Sequence, residues 1–271
     1  MPLSFCGRLC GGMLYLEQQI GICEDCMEKK LNSNHLKIIA IIAMTIDHIT
    51  DLFYPAFPTQ PLPIALHILG RLTAPIMWFF VAEGYYYTHN VKKYLLRLGI
   101  FAVISHFAYC FAFGNSFIPF KTGIFNQTSV MYPLFIAVFV LWLQDTELKH
   151  NELKNVIIFL LIWSAFPADW SCIAVLAIID IYRNRGDLRK QTFRMMVWVL
   201  LYAVVSIFFV NKVYGLIEMF VILVYPLMKQ YNGQRGKATW LKWFFYIYYP
   251  THLIIIGIIR VMMYGNINIL F

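Results

Sequence analysis

Charged residues are scarce in this chain, and their scarcity excludes an ordinary soluble domain. Only 13% of its 271 residues are charged, whereas soluble domains carry about 25%. Hydrophobic residues make up 60%, and several apolar runs approach the ~20 residues that a membrane-spanning helix needs. We therefore predict an all-α, polytopic transmembrane bundle that contacts the lipid bilayer. The net charge of +8 is then a property of the loops, and no nucleic-acid partner is expected.

Three other features are missing. An internal repeat, which many secondary transporters show, is not visible. No low-complexity segment stands out, so 36–271 is predicted to be one membrane domain. Residues 1–30 lack a long apolar core followed by a small-residue cleavage site, so a cleavable signal peptide is not expected.

The N-terminal segment, 1–35, is the place where cysteine is concentrated. Its pattern is C-x3-C-x12-C-x2-C, a spacing compatible with tetrathiolate zinc binding. The alternatives are a disordered tail, or an upstream extension of a protein whose natural beginning is Met27. The four candidate zinc ligands are Cys6, Cys10, Cys23 and Cys26.

Apolar runs predict about nine spans. Lysine and arginine then set the orientation: with the N-terminus in the cytoplasm, 18 of the 22 basic residues lie inside and three outside. This asymmetry is typical of the cytoplasmic membrane. The fifth and sixth spans are the shortest. The predicted spans are 36–54, 62–87, from about 98 to 114, 129–143, 155–166, 170–182, 195–210, 214–229 and 243–264.

The first span carries polar groups that a purely structural helix does not need. Lys37 and His48 are eleven residues apart, which places them on one stripe about 16 Å apart along the axis. His48 then lies near mid-bilayer, where titratable residues are costly and usually functional. If His48 acts as a general base, it needs a neighbouring group that fixes its tautomer. Asp51, one turn on, and Asp47 are both candidates for that role.

Further polar residues are predicted inside the bundle. Arg71 is expected to pair with Asp47, Asp51 or Glu83, or to bind substrate or a developing oxyanion. Glu83 is grouped with it as a candidate substrate contact. His252 follows Pro250, which is expected to break the last helix and line a cavity. His106 is interpreted as an interior histidine with its hydrogen bonds satisfied.

Basic residues at the inner helix ends suggest a phosphate site. Lys37, Lys93 and Arg97 are placed to bind a phosphate-bearing donor through charge-assisted hydrogen bonds. The alternative is simple anchoring of the cytoplasmic side, which suits most inner basic residues.

The runs LKIIAIIAMTIDHI, GRLTAPIMWFFVAEGYYYTHNVKKYLLRL and KWFFYIYYPTHLIIIGIIR resemble the TraX family, over about 36–264. The namesake of this family is associated with N-terminal acetylation of pilin. TraX proteins in turn resemble the transmembrane acyltransferases, including the acyltransferase-3 group. That resemblance implies acetyl-CoA as the donor, His48 as the catalytic residue and Lys37 as a donor contact. Lys93 and Arg97 stand where acyltransferase-3 proteins have an arginine pair, with one extra residue between them.

The resemblance leaves the acceptor open among a peptide N-terminus, a glycan and a lipid head group. It implies transfer to an amine or hydroxyl at or across the membrane. Two alternatives use the same residues differently. One is a secondary transporter or channel, and the other is a non-catalytic assembly factor for a pilus or envelope complex.

Overall fold

The fold is helical throughout the described residues, 30–55, 59–147 and 150–265, of the computed structural model. The candidate zinc cysteines, Cys6, Cys10, Cys23 and Cys26, lie outside these ranges. Within them the helices are α1 (Ser33–Phe53), α2 (Pro61–Gly70), α3 (Thr73–Tyr87), α4 (Val91–Phe113), α5 (Met131–Asp145), α6 (Asn151–Ser164), α7 (Ser171–Arg183), α8 (Leu188–Phe209), α9 (Lys212–Glu218), a 3-10 helix (Met219–Leu223), α10 (Val224–Lys229) and α11 (Leu241–Tyr264).

The predicted helical class is confirmed, and the hydrophobic character fits a membrane protein. Four stretches of the described chain are long and apolar enough to cross a bilayer: Pro61–Tyr87, Val91–Phe113, Leu188–Phe209 and Leu241–Tyr264. Large apolar side chains also cover the outside of the bundle, as Phe208 and Met262 illustrate with 76% and 80% exposure. Lipid is the solvent that suits such a surface.

Two predicted spans are interrupted, and a proline lies just after the last interruption of each. The second span divides at Gly70 into α2 and α3, and the eighth divides into α9, the 3-10 helix and α10. Pro75 and Pro226 lie in the first turns of α3 and α10. Proline has no N–H for the hydrogen bond to the preceding turn, so a new helix begins just before it.

Pro250 does not break the last helix, contrary to expectation. The helix α11 continues from Leu241 to Tyr264 with Pro250 inside it. A single proline removes one backbone hydrogen bond, which neighbouring helices and side chains in a membrane bundle can offset.

The first helix is held at the centre by contacts on several sides. It packs against α2, α3 and α11, and α11 packs against α4. Asn32 caps α1 by accepting from the backbone N–H groups of Asn34 and His35, so the helix begins three residues before the predicted span. The polar stripe of α1 therefore faces its neighbours within the bundle.

Candidate active site along the first helix

A cavity of about 1330 Å³ runs the length of the bundle beside α1. Its lining includes residues from both ends of the same helices: Ser33 and Pro55 flank α1, and Lys242 and Tyr264 flank α11. His48 lines the cavity between them. His48 therefore lies on a cavity whose lining extends to both ends of α1.

His48 is joined to His252 by a hydrogen bond. Its Nδ1 lies 2.8 Å from Nε2 of His252, and the two rings are parallel within 1°. His252 is only 6% exposed and lies behind His48 rather than in the cavity lining. The contact unites two of the residues selected from the sequence.

The hydrogen bonds of His252 determine which tautomer each histidine adopts. Its Nδ1 lies 2.9 Å from the backbone carbonyl oxygen of Tyr248, and a carbonyl can only accept. The Nδ1 of His252 must therefore carry the proton, and a neutral His252 accepts at Nε2. Nδ1–H of His48 is then the donor, which leaves Nε2 of His48 with its lone pair. This nitrogen makes no hydrogen bond within the described chain, so it can accept a proton from a bound molecule.

The expected aspartate partner of His48 is therefore replaced by a histidine. Asp47 contacts His67, whose Nδ1 donates to its carboxylate at 2.8 Å, and it also pairs with Arg71. Asp51 lies on the same side of α1, 3.8 Å from Nε2 of His67. Both carboxylates lie close to His67 of α2. The spacing of residues along α1 does not predict where α2 packs.

Arg71 forms the buried ion pair that was predicted with Asp47, and it also has a second acid. Its Nη2 donates to Asp47, while Nη1 donates to Glu218 and, at 3.1 Å, to the hydroxyl of Tyr214. Nε donates to the carbonyl of His67 at 3.2 Å. Every guanidinium nitrogen is thus engaged by protein, which favours a structural role over substrate binding.

Glycine permits the close approach on which this network depends. A Cβ atom at Gly70 would lie 2.3 Å from a carboxylate oxygen of Asp47, so a larger residue would displace the acid. The last turn of α2 can therefore pack directly against α1. Glu218, by contrast, was missed in the sequence because a lone acid in the run GLIEMF shows no spacing relationship to Arg71.

A three-residue group of Asp47, Asp51 and His67 has ligand atoms within 4.8 Å of one another. Such a group resembles a cation site. The guanidinium of Arg71 already neutralises Asp47, so the arrangement is better described as a buried ion-pair network.

Glu83 and His106 bond to other protein groups, as residues with a structural role do. Glu83 lines the cavity but pairs with Arg185 at 3.2 Å. His106 is hydrogen bonded through Nδ1 to Thr128 and through Nε2 to the carbonyl of Phe117, both at 3.0 Å. The interpretation of His106 as a satisfied interior histidine is confirmed.

One end of the cavity is strongly basic. Lys37 lies with Nζ 4.8 Å from the ring centre of Phe80, and Arg97 stacks near Tyr246, at 5.0 Å. Arg235 and Lys242 line the same end and were not selected from the sequence. Lys93, which was selected, is exposed and does not line the cavity.

A short backbone contact positions Arg235 above Lys37. The N–H of Leu31 donates to the carbonyl of Gln230 at 3.0 Å, and the N–H of Ser33 donates to Gln234 at 3.0 Å. The segment before α1 and the segment before α11 are therefore held side by side. This pairing joins residues 200 positions apart, which explains why Arg235 was overlooked.

Comparisons with known proteins agree with this description. The family model for the TraX protein matches residues 32–260. A relative from Dichelobacter nodosus, the probable fimbrial assembly protein FimC of serogroup H1, is 30% identical over 226 residues, which cover 80% of this chain and 91% of that protein. No solved structure matches. The family match includes α1, both histidines and all of the cavity lining except Tyr264, and the chain belongs to the TraX family.

Proposed function

We propose that this protein is a transmembrane acetyltransferase that moves an acetyl group from cytoplasmic acetyl-CoA to an amine or hydroxyl acceptor. The observation that carries the proposal is the position of His48. Its Nε2 is available for a proton, and it lines a cavity that reaches both ends of α1. A general base between a thioester and a nucleophile is what acyl transfer needs.

The proposal includes nine spans in the cytoplasmic membrane, with the N-terminus inside. In this orientation α1, α4 and α11 all run from the cytoplasm outwards, and Lys37, Arg97 and Lys242 lie near their inner ends. Lysine and arginine at the inner ends agree with the positive-inside rule. The donor then enters from the basic end, and the acceptor enters from the opposite end.

The basic end suits the phosphates of the donor. Lys37, Arg97, Arg235 and Lys242 supply four cations around one opening, and arginine binds phosphate oxygens in a bidentate manner. The aromatic rings beside Arg97 add flat apolar surface. From Lys37 to His48 the distance along α1 is about 16 Å, which the pantetheine arm would cover to bring the thioester to the base.

The chemical step uses His48 as a proton carrier. Nε2 takes the proton from the N–H or O–H of the acceptor, whose heteroatom attacks the thioester carbonyl carbon. The carbon–sulfur bond then breaks, and the coenzyme A thiolate takes the proton from His48. His252 holds the ring in the required tautomer and shares the positive charge that develops on it.

The similarity to acyltransferase-3 proteins belongs to this proposal. This chain and those proteins both have a basic residue on the first helix, followed after ten intervening residues by a histidine. In this chain these residues are Lys37 and His48. The spacing supports the assignment of one as a donor contact and the other as the base.

A second candidate is a non-catalytic assembly factor. It is favoured by the printed name of the relative, a probable fimbrial assembly protein. If the acceptor of the acetyltransferase is a subunit of a surface fibre, a peptide N-terminus receives the acetyl group, and the relative's name fits the enzyme as well. A glycan and a lipid head group are the other acceptor classes, and a transporter using the same polar residues is the third candidate.

Release of coenzyme A thiol separates these candidates. The purified protein in detergent is supplied with acetyl-CoA, and wild type is compared with His48→Ala. We expect slow release by wild type and loss of release in the variant. His150→Ala is the matched control, since His150 is exposed at the start of α6 and outside the cavity. Equal release by wild type and His48→Ala, or none from wild type with any acceptor, would rule out the proposed mechanism.

A further inference from the structure

The end of the cavity opposite the basic cluster has its own cation, Arg260. It lies in the last turns of α11, and Pro55, Asn115, Asn126 and Tyr264 line the cavity around it. Neither the resemblance nor the mechanism above assigns a role to this group of residues. Arg260 is half-buried and faces the cavity.

The guanidinium of Arg260 is held in place by backbone, with much of its donor capacity free. Nη1 lies 3.4 Å from the carbonyl oxygen of Ala112, a long contact. Gly114, with φ of 75°, ends α4 directly beneath the guanidinium, and a Cβ atom there would be 2.2 Å from Nη2. Within the described chain, no carboxylate lies within 4.0 Å of Arg260, in contrast to Arg71 and Arg185. An arginine has five N–H donors, so several remain for a ligand.

The neighbours of Arg260 are neutral and already bonded. The side-chain amide of Asn115 donates to the carbonyl of Asn126 at 2.8 Å. The hydroxyl of Tyr264 donates to the carbonyl of Leu52 at 3.0 Å, which ties the end of α11 to the end of α1. The nearest carboxylate along α1 is Asp51, which is directed towards His67. Among the described residues, this end of the cavity therefore offers a positive charge with no carboxylate partner within 4.0 Å.

Helix geometry relates Arg260 to the base. Arg260 is eight residues beyond His252, or about 12 Å along the axis of α11. The guanidinium lies beside Ala112 and Gly114 at the end of α4, and Arg260 lines the same cavity as His48. A molecule that reaches both groups therefore has its anion several bonds away from its reacting atom.

We propose that Arg260 binds an anionic group, a carboxylate or a phosphate, of the acceptor substrate. This inference rests on the proposed acetyltransferase function and adds the chemical class of the acceptor. The guanidinium fork matches the paired oxygens of either anion.

The test compares acceptors that differ only in charge. Triglycine spans about 10 Å when extended, and it is compared with its C-terminal amide. Phosphoethanolamine, a lipid head group, is compared with ethanolamine. For each pair, kcat/KM with acetyl-CoA is measured for wild type, Arg260→Met, Arg260→Lys and the control Lys121→Met. Lys121 is an exposed cation predicted on the same side and does not line the cavity.

We expect wild type to prefer the anionic member of at least one pair by about tenfold or more, the scale of a charge-assisted hydrogen bond. Arg260→Met should remove the preference, Arg260→Lys should retain part of it, and Lys121→Met should keep it. The pair that shows the preference distinguishes a peptide carboxylate from a lipid phosphate. The proposal is overturned if wild type shows no preference in either pair, or if Arg260→Met keeps it.

A binding measurement separates this inference from the proposed function. Calorimetry with triglycine and phosphoethanolamine measures anion binding to wild type and Arg260→Met without any donor. Binding that requires Arg260 in a protein that transfers no acetyl group would refute the enzyme and leave the anion site standing. Acetyl transfer with no preference between charged and uncharged acceptors would support the enzyme and refute the anion site.

Discussion

His48 on α1 and His252 on α11 share a hydrogen bond of 2.8 Å, although they are 204 residues apart in the chain. His252 in turn donates from Nδ1 to the backbone carbonyl oxygen of Tyr248, at 2.9 Å. Together they hold Nε2 of His48 unprotonated and facing a cavity. Catalytic histidines commonly have such a partner on the second ring nitrogen, and here the partner is another histidine.

In the proposed mechanism His252 positions His48, and a pair of variants tests this role. His252→Leu removes the acceptor for Nδ1–H of His48, so we expect thiol release to fall by about 10²-fold, the range of general acid–base effects. His252→Gln keeps an acceptor oxygen and should recover part of the rate. Both are measured as kcat and KM for acetyl-CoA, and the loss should lie in kcat.

Tyr248→Phe is the control for that series. His252 uses the backbone carbonyl of Tyr248, which survives the substitution, whereas the hydroxyl bonds Thr45 at 2.7 Å. A loss in Tyr248→Phe as large as in His252→Leu would indicate that local packing, rather than the tautomer of His48, limits the rate.

The buried network around Arg71 predicts a stability effect. Arg71 is 4% exposed and Glu218 is 0% exposed. Arg71→Met leaves Asp47 and Glu218 without their cation, so we expect a loss of about 3–5 kcal/mol in unfolding free energy. The measurement is thermal unfolding in detergent, with Arg194→Met as the exposed comparison. An unchanged Tm in Arg71→Met would contradict the described network.

Gly70→Ala tests the close approach of α2 to α1. The new methyl group would overlap the carboxylate of Asp47, and overpacking of this kind costs about 1–3 kcal/mol. We expect a lower Tm together with lower activity, because Asp47 is adjacent to His48 in the chain. The comparison is Gly186→Ala: Gly186 has φ of 100° and no neighbour within 4 Å of an added Cβ, so alanine there strains the backbone without a clash and should lower Tm but leave activity unchanged. If Gly70→Ala lowers Tm without lowering activity, the network stabilises the bundle and has no effect on His48.

The basic end of the cavity predicts which lysine and arginine side chains affect the binding of acetyl-CoA. Arg97→Ala and Arg235→Ala should raise KM for acetyl-CoA by about tenfold each, with little change in kcat, because phosphate contacts are the same in ground and transition states. Added salt should reduce the difference between wild type and these variants. Lys93→Ala should have a much smaller effect, since Lys93 lies outside the cavity lining. A larger effect from Lys93 than from Arg97 would contradict the placement of the donor phosphates at this end of the cavity.

The sequence predicted the parts of the site that depend on helical spacing. Lys37 and His48 fall on one stripe because a helix has a fixed turn per residue, and both line the cavity. An ion pair of Arg71 with Asp47, Asp51 or Glu83 was predicted because buried charges need partners, and Asp47 is the one of these three that forms it. These are local or general rules, and a single chain is enough to apply them.

Other contacts were not predictable because they depend on how distant helices pack. The bond from His252 to His48 requires α11 to lie beside α1, and Glu218 reaches Arg71 only because α9 packs against α2. By spacing alone, Asp47 and Asp51 were each within reach of His48. In the structure α2 packs beside α1, and both acids face its residue His67 instead. Arg235 likewise depends on the backbone pairing of Leu31 with Gln230.

Separating donor binding from turnover tests the central claim most directly. Acetyl-CoA affinity and thiol release are measured on the same preparations of wild type and His48→Ala in detergent. We predict that the variant binds acetyl-CoA within about threefold of wild type, since the phosphate contacts lie some 16 Å away along α1, and that it releases no thiol above background. Equal thiol release from both proteins, or no acetyl-CoA binding by either, would contradict the assignment of His48 as the base of an acetyl-CoA-dependent transferase.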